Sequence, residues 1–454
     1  MGIARGLRAA VCTAAACGLV TVAAAPASAI NPPQVVVGVV PPDGAPGPEQ
    51  PTKQDKGCLG TGVLPDSDLQ QVPPPERMLN LTQARALSRG AGVTVAVVDT
   101  GVGPNPRLPD LVGGGDYVTA GGDGLSDCDA HGTLVAGIIG AAADPADGFS
   151  GVAPDARIVS VRYRSGAFSL DQPSNYDPSA QVSMDIRTLA RAITHAANLG
   201  AQVISVTLPI CVAAAAPVDQ SMLSAAVGYA TELRGALVVA GAGNTGNSGC
   251  DQNPDIDPSH PTDRRNWSGV KTLSAPGWFY NDVLTVGFTT ATGAPVPDTL
   301  SGPWVSVAAP GTGIESLGPG GGGLINAVGT PDKLTPVGGA SFAAAYVSGV
   351  AALLRSRYPS ENPAEIVARL EASAHAPARG VDNTVGAGII DPVAALSYRT
   401  PPQPPGGLNR GETLALPNPV RQPDRRPTLV AAGVAAVALV LGLGVSRWQR
   451  RWAR

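Results

Sequence analysis

The chain has 454 residues, room for one large domain or two of ordinary size. Its formal net charge of −4 offers no basic surface of the kind that binds nucleic acid. Glycine is abundant at 57 residues and aromatic side chains make up only 4%, a composition suited to closely packed elements joined by glycine-rich loops.

Residues 1–29 carry Arg5 and Arg8, then an apolar run from Ala9 to Ala25, then Ala27-Ser28-Ala29. That three-part order is the pattern of a cleaved secretory signal, so the mature chain is expected to begin at Ile30. A lipid-attachment reading of Cys17 fails on its surroundings, because Ala14-Ala15-Ala16 precede it without a leucine. Residues 30–80 are rich in proline and glycine and read as an extended N-terminal segment rather than a domain, with one strand candidate at Val35–Val40. Cys12 and Cys17 leave with the signal. Cys58, Cys128, Cys211 and Cys250 remain, an even number in an exported chain, which predicts two disulfides with three connectivities open. No Cys-x-x-Cys pair suggests zinc.

The globular part is expected over 81–399. It opens with Val93-Thr94-Val95-Ala96-Val97-Val98, a β-branched run of the kind buried on both faces of a parallel sheet. Further strands are predicted at Ile158–Val161, Val203–Val206, Leu237–Ala240, Val283–Val286 and Val305–Val307, and helices at Thr133–Ala143, Ile186–Leu199, Ser221–Leu233 and Pro363–Ala374. Alternation of this kind implies an α/β domain with a mainly parallel sheet and helices on both faces. Long connections at 165–183, 211–218 and 247–277 read as surface loops. Residues 400–428 form a proline-rich linker. Leu429 to Val445 is apolar and uncharged and is followed by Arg447, Trp448, Arg450, Arg451, Trp452 and Arg454. This predicts a transmembrane helix over 429–446 and a basic cytoplasmic tail over 447–454, with the body extracytoplasmic.

Three segments carry chemistry. Ser341 follows Gly338-Gly339-Ala340 and opens a run with no charge until Arg355, so its hydroxyl is expected at the N-terminus of a buried helix, where backbone N–H groups favour developing negative charge. Asp99 ends the first strand, at the carboxyl edge where open α/β sheets place their ligands. His131, in Asp-Ala-His-Gly-Thr-Leu-Val-Ala-Gly, stands at the mouth of an apolar helix beside a glycine that permits close backbone approach. A serine made nucleophilic by an imidazole, itself held in one tautomer by a buried carboxylate, needs these three parts. Asn244, in Ala-Gly-Ala-Gly-Asn-Thr-Gly, supplies an amide that with the backbone N–H of Ser341 would serve a tetrahedral oxyanion. His195, His260 and His375 read as ordinary surface or helix histidines.

The order Asp, His, Asn, Ser within these motifs resembles the subtilisin-like serine proteases, over roughly Leu81 to Tyr398. The signal, the cysteine-bearing extension, the linker, the single span and the basic tail are similar to the mycosins, membrane-anchored members that serve type VII secretion systems. The resemblance implies endopeptidase cleavage of exported proteins, a structural role in a membrane-embedded secretion complex, no cofactor, and pairing of Cys58 with Cys128 and of Cys211 with Cys250. It also implies that the extension wraps the domain without acting as a removable inhibitor, and that peptide substrate is bound along Thr207-Leu208-Pro209 and Ala240-Gly241-Ala242. Three positions depart from the family pattern: Ala340 where threonine is common, Ala345 where proline is common, and Pro209 where glycine is usual. Pro209 cannot donate a backbone hydrogen bond, so weaker or narrower peptide binding is expected. An aspartic protease would need a second Asp-Thr/Ser-Gly, which the chain lacks. The alternative from another class is a scaffold with little or dispensable proteolysis. Calcium is undecided by the sequence, and Asp251, Asp255 and Asp257 read as a solvated loop.

Overall fold

The computed structural model describes residues 30–399 apart from 173–177, 247–249, 322, 331–332 and 379, with scattered positions between 402 and 448. Seven strands form its main sheet: β1 (Thr94–Asp99), β2 (Leu111–Asp116), β3 (Arg157–Arg162), β4 (Val203–Val206), β5 (Leu237–Gly241), β6 (Val283–Thr289) and β7 (Val305–Pro310). Their order is β7-β6-β5-β4-β1-β3-β2, and every pairing is parallel. Four helices pack on the sheet: α1 (His131–Gly140), α2 (Pro178–Asn198), α3 (Ser221–Gly228) and α4 (Ala340–Arg357).

Side chains of a strand point alternately to its two faces, and β1 shows the consequence. Val95 and Val97 pack into a core with Leu134 and Val135 of α1 and Ala343 and Val347 of α4. Ala96 and Val98 enter a second core with Ile186, Leu189 and Ile193 of α2 and Leu223 and Val227 of α3. The sheet is therefore the middle of three layers, which is why its strands lack a polar face. Helix α4 is buried from Ala340 to Leu354, so its uncharged run reflects contacts on all sides.

Because β1 has β3 on one side and β4 on the other, the chain changes direction across the sheet at this strand. The carboxyl ends of β1 and its neighbours form the crevice where such sheets place chemistry.

Several elements differ from expectation. Val35–Val40 joins no ladder; Val36 N–H instead donates to Ser224 Oγ at 2.9 Å, anchoring an extended segment against α3. Strand β2 was hidden by its sequence Leu-Val-Gly-Gly-Gly-Asp, whose glycines erase the alternating pattern. The expected loops contain short strands: Phe168–Leu170 pairs with Thr52–Gln54, and Ile210–Ala213 pairs with Thr272–Ala275. Helix α2 starts at Pro178, earlier than its apolar stripe, and α3 continues as a π-helical turn over Tyr229–Leu233.

The segment 30–80 is pinned along its length. Asp43 contacts His195 at 3.0 Å, Glu49 pairs with Arg187 at 2.7 Å, and Gly60–Gly62 adds to the strand Ala327–Thr330. Disulfides join Cys58 to Cys128 and Cys211 to Cys250, the pairings implied by the family resemblance.

Residues 405–454 form a separate unit, in which 437, 438, 441, 443–445, 447 and 448 are helical. Among the described residues no helix is long and apolar enough to cross a membrane. The signal 1–29, nearly all of the linker 400–428 and most of the expected span 429–446 lie outside the described residues.

The Cys58–Cys128 bond closes a loop across a sequence separation of 70 residues. Replacing both cysteines by serine is expected to lower stability by about 2–4 kcal/mol. A urea midpoint that does not fall in the double variant would contradict this.

Candidate active site

Asp99 is the last residue of β1 and has no solvent exposure. An isolated carboxylate there would be costly, so its hydrogen bonds decide its state. The Thr100 N–H donates to Oδ1 at 2.6 Å, the Thr207 hydroxyl donates to Oδ2, and His131 Nδ1 lies 2.8 Å from Oδ1 and 3.1 Å from Oδ2. Burial works to raise its pKa, but His131 and these donors outweigh it and hold the carboxyl below its ordinary value.

His131 is the first residue of α1. Ala130 before it holds a left-handed φ of 61°, an uncommon conformation for alanine that turns the chain abruptly into the helix. Gly132 permits the contact with β1: a Cβ there would sit 2.0 Å from Gly101 O and 3.2 Å from Asp99 Oδ1. Burial pulls the imidazole pKa down, but the Asp99 carboxylate and its hydrogen bond, with Asp127 and Asp129, lift it above the ordinary value.

Ser341 lies in the first turn of α4, 4% exposed, with its Oγ 2.9 Å from His131 Nε2. Gly339 precedes the helix with a φ of 137°, which turns the chain beneath the Asn244 side chain. Asn244 follows β5 and accepts from Ala340 N–H through Oδ1 at 2.9 Å. The donor end of that amide is therefore Nδ2, in contact range of the turn that carries Ser341. The Phe342 ring lies 5.0 Å from the imidazole and walls one side.

The residues expected at the site thus come from four chain segments to one rim of the sheet. Thr207-Leu208-Pro209 leaves the end of β4 and Ala240-Gly241-Ala242 the end of β5, side by side: a Cβ on Gly241 would lie 3.0 Å from Thr207 O and 3.3 Å from Ala340 O. Leu208 O accepts the Tyr163 hydroxyl, and Ala242 N–H donates to Val286 O at 2.8 Å, so both segments have fixed backbones. The other histidines sit elsewhere, beside Asp43, Asp257 and Asp391. Among the described residues no group of three or more His, Cys, Asp and Glu is arranged to hold a metal ion.

Sequence reasoning missed the hydroxyl of Thr207 as a partner of Asp99, and it missed Asp127. Asp127 accepts from the N–H and hydroxyl of Thr133 across six residues, a longer reach than an N-cap side chain makes, so no local pattern marked it.

Residues 90–388 match the model of the subtilase family, Peptidase S8. The chain belongs to that family, and within it to the mycosins. It is 49% identical to mycosin-3 of Mycobacterium tuberculosis over 92% of both chains, and 46% identical to mycosin-1 of Mycolicibacterium smegmatis over 95% of this chain and 96% of that one. The crystal structure of MycP1 from Mycobacterium smegmatis superposes with a TM-score of 0.78 at 48% identity, covering 82% of this chain and 96% of the other. A chain in the structure of an intact ESX-5 inner membrane complex superposes with a TM-score of 0.79 at 47% identity, covering 92% of this chain and 99% of that chain. The fold is accordingly subtilisin-like, and the chain is a subtilisin-like serine endopeptidase.

For this mycosin, Gly132→Ala is expected to force β1 and α1 apart and to lower kcat/KM by about 100-fold, the cost of roughly 1 Å of misplacement. Unchanged kinetics would contradict the close approach. An imidazole can accept a proton only when neutral, so kcat/KM is expected to fall as pH drops through the titration of His131, with a midpoint above about 6.5. A pH profile with a lower midpoint would count against the lifted imidazole.

Proposed function

We propose that Ser341 is the nucleophile, His131 the general base and then acid, and Asp99 the group that orients the imidazole. The single observation that supports this most is the unbroken relay from a buried carboxylate through both ring nitrogens to a hydroxyl at a helix N-terminus. In this reading His131 Nε2 takes the Ser341 proton as Oγ attacks a peptide carbonyl, while Asp99 stabilises the imidazolium that forms. The Ser341 N–H and Asn244 Nδ2 receive the oxyanion. His131 then protonates the leaving amine, and water admitted to the same position hydrolyses the acyl-enzyme.

Peptide would lie against Thr207-Leu208-Pro209 and Ala240-Gly241-Ala242. Pro209 withdraws one backbone donor from that ladder, which favours a narrow set of substrates over general digestion. Solved relatives are described as components of ESX-1, ESX-3 and ESX-5 type VII secretion assemblies. We infer the corresponding role here: cleavage of exported proteins by an endopeptidase that also helps hold a membrane-embedded complex together. The domain boundaries that fit are a signal at 1–29, an extension at 30–80, the protease at 81–399, a linker at 400–428, one span at 429–446 and a cytoplasmic tail at 447–454. In this arrangement the protease domain faces away from the cytoplasm.

A fluorophosphonate probe is expected to label Ser341 and to leave Ser341→Ala unlabelled; label on another residue, or none, would defeat the assignment. Asn244→Ala is expected to lower kcat by about 10²–10³, the loss recorded for an oxyanion asparagine of subtilisin, a family relative. Secretion measured in cells separates catalysis from scaffolding. Survival of export in Ser341→Ala but not on deletion would assign the main role to the fold.

A further inference from the structure

Two more carboxylates act on the imidazole through their charge, those of Asp127 and Asp129, on either side of the disulfide-bonded Cys128. Asp127 is the hub. Its Oδ2 accepts the Thr133 N–H at 2.8 Å and the Thr133 hydroxyl at 2.6 Å, so it caps the first turn of α1 from four residues before His131. Its Oδ1 accepts the Thr100 hydroxyl at 2.9 Å and the Asp129 N–H at 3.1 Å. Thr100 Oγ1 accepts the Gly132 N–H at 2.9 Å, and Thr133 Oγ1 accepts the Gly103 N–H at 2.9 Å, so the loop after β1 and the start of α1 are laced through this one side chain. Asp129 is fixed by Ser165 Oγ at 2.5 Å and Gly166 N–H at 2.8 Å.

We propose that Asp127 and Asp129 are positioning residues for the base: Asp127 ties the start of α1 to the loop after β1 and so seats His131 against Asp99, and the charge of both acids favours the imidazolium that forms as Ser341 attacks. The proposal rests on His131 being the base. The charged groups around the imidazole support it. Asp99 faces it from β1, and Asp127 and Asp129 from the preceding loop. At the end of β3, Arg162 is committed to Asp116 at 3.2 Å and to Thr100 O; just past that strand, Arg164 interacts with Tyr163, Asp185 and also Asp99. Helix α4 presents Ser341 and Phe342, and β4 leads to Thr207, all uncharged. Burial pushes the Asp127 carboxyl up to about 6, against its hydrogen bonds from Thr133 and Thr100. A cap alone would need an acceptor; a charge is what makes the loop felt at the ring.

The test is titration of the imidazole in the full chain with isotope-labelled histidine, of which there are 4. Asp127→Asn keeps one acceptor oxygen and removes the charge. The His131 midpoint is expected to drop by about half a pH unit. The acid limb of kcat/KM should move down with it, and kcat should fall about tenfold with KM nearly unchanged. Asp129→Asn, whose side-chain bonds lie outside α1, is expected to lower the midpoint as well and carries the test if Asp127→Asn does not fold. An unmoved midpoint, whether or not activity falls, would reduce the pair to structural ties and overturn the proposal. Fluorophosphonate labelling of Ser341 in the parent chain is independent of this outcome, so failure of the serine-protease reading would be seen separately.

Discussion

A carboxylate with no access to water, held at the end of a strand buried from Val95 onward, is the constraint on which this molecule turns. Asp99 stays ionised only because Thr100, Thr207 and His131 all supply hydrogen to it. Those donors come from the loop after β1, the end of β4 and the start of α1, so satisfying one charge fixes three segments relative to one another. Once they are fixed, the imidazole has one orientation, and the nitrogen turned away from Asp99 meets Ser341. Stability and reactivity share the same hydrogen bonds here.

The layered architecture makes that arrangement possible. Two helix N-termini, α1 and α4, lie on the same side of the sheet and pack on each other through a common core that includes Leu134, Ala343 and Val347. Both begin at the crevice beside β1, so an imidazole and a hydroxyl that are 210 residues apart in sequence become neighbours. Close backbone approach is needed at both starts, and Gly132 and Gly339 are the residues that permit it. The apolar bulk of α4 has a second effect, since a helix buried on all sides has little freedom to shift the hydroxyl it carries.

Much of this was legible in the chain. The six expected strands of the sheet were marked by β-branched runs without polar alternation, because both faces are covered. Ser341, His131, Asp99 and Asn244 could be picked out as candidates because each lies at or near the end of an apolar element and within two residues of a glycine. What stayed hidden is equally physical. Strand β2 contains three glycines and no periodicity, and the strands at 52–54, 168–170 and 210–213 are short pairings fixed by long-range partners. Val35–Val40 had the composition of a strand but meets a helix, α3, and no open edge. The hydroxyl of Thr207 could not be assigned to Asp99 because nothing local relates β4 to β1.

The tie between Cys58 and Cys128 reaches further than the stability of a closed loop. Cys128 stands three residues before His131, and Leu59 N–H donates to its carbonyl at 2.9 Å, so the N-terminal strap grips the segment that delivers the imidazole. A thiol pair in reducing surroundings exerts no such grip. Oxidation of this pair therefore adds a covalent tie between the N-terminal strap and the segment that carries His131, where a reduced chain would keep only hydrogen bonds such as that of Leu59 to Cys128.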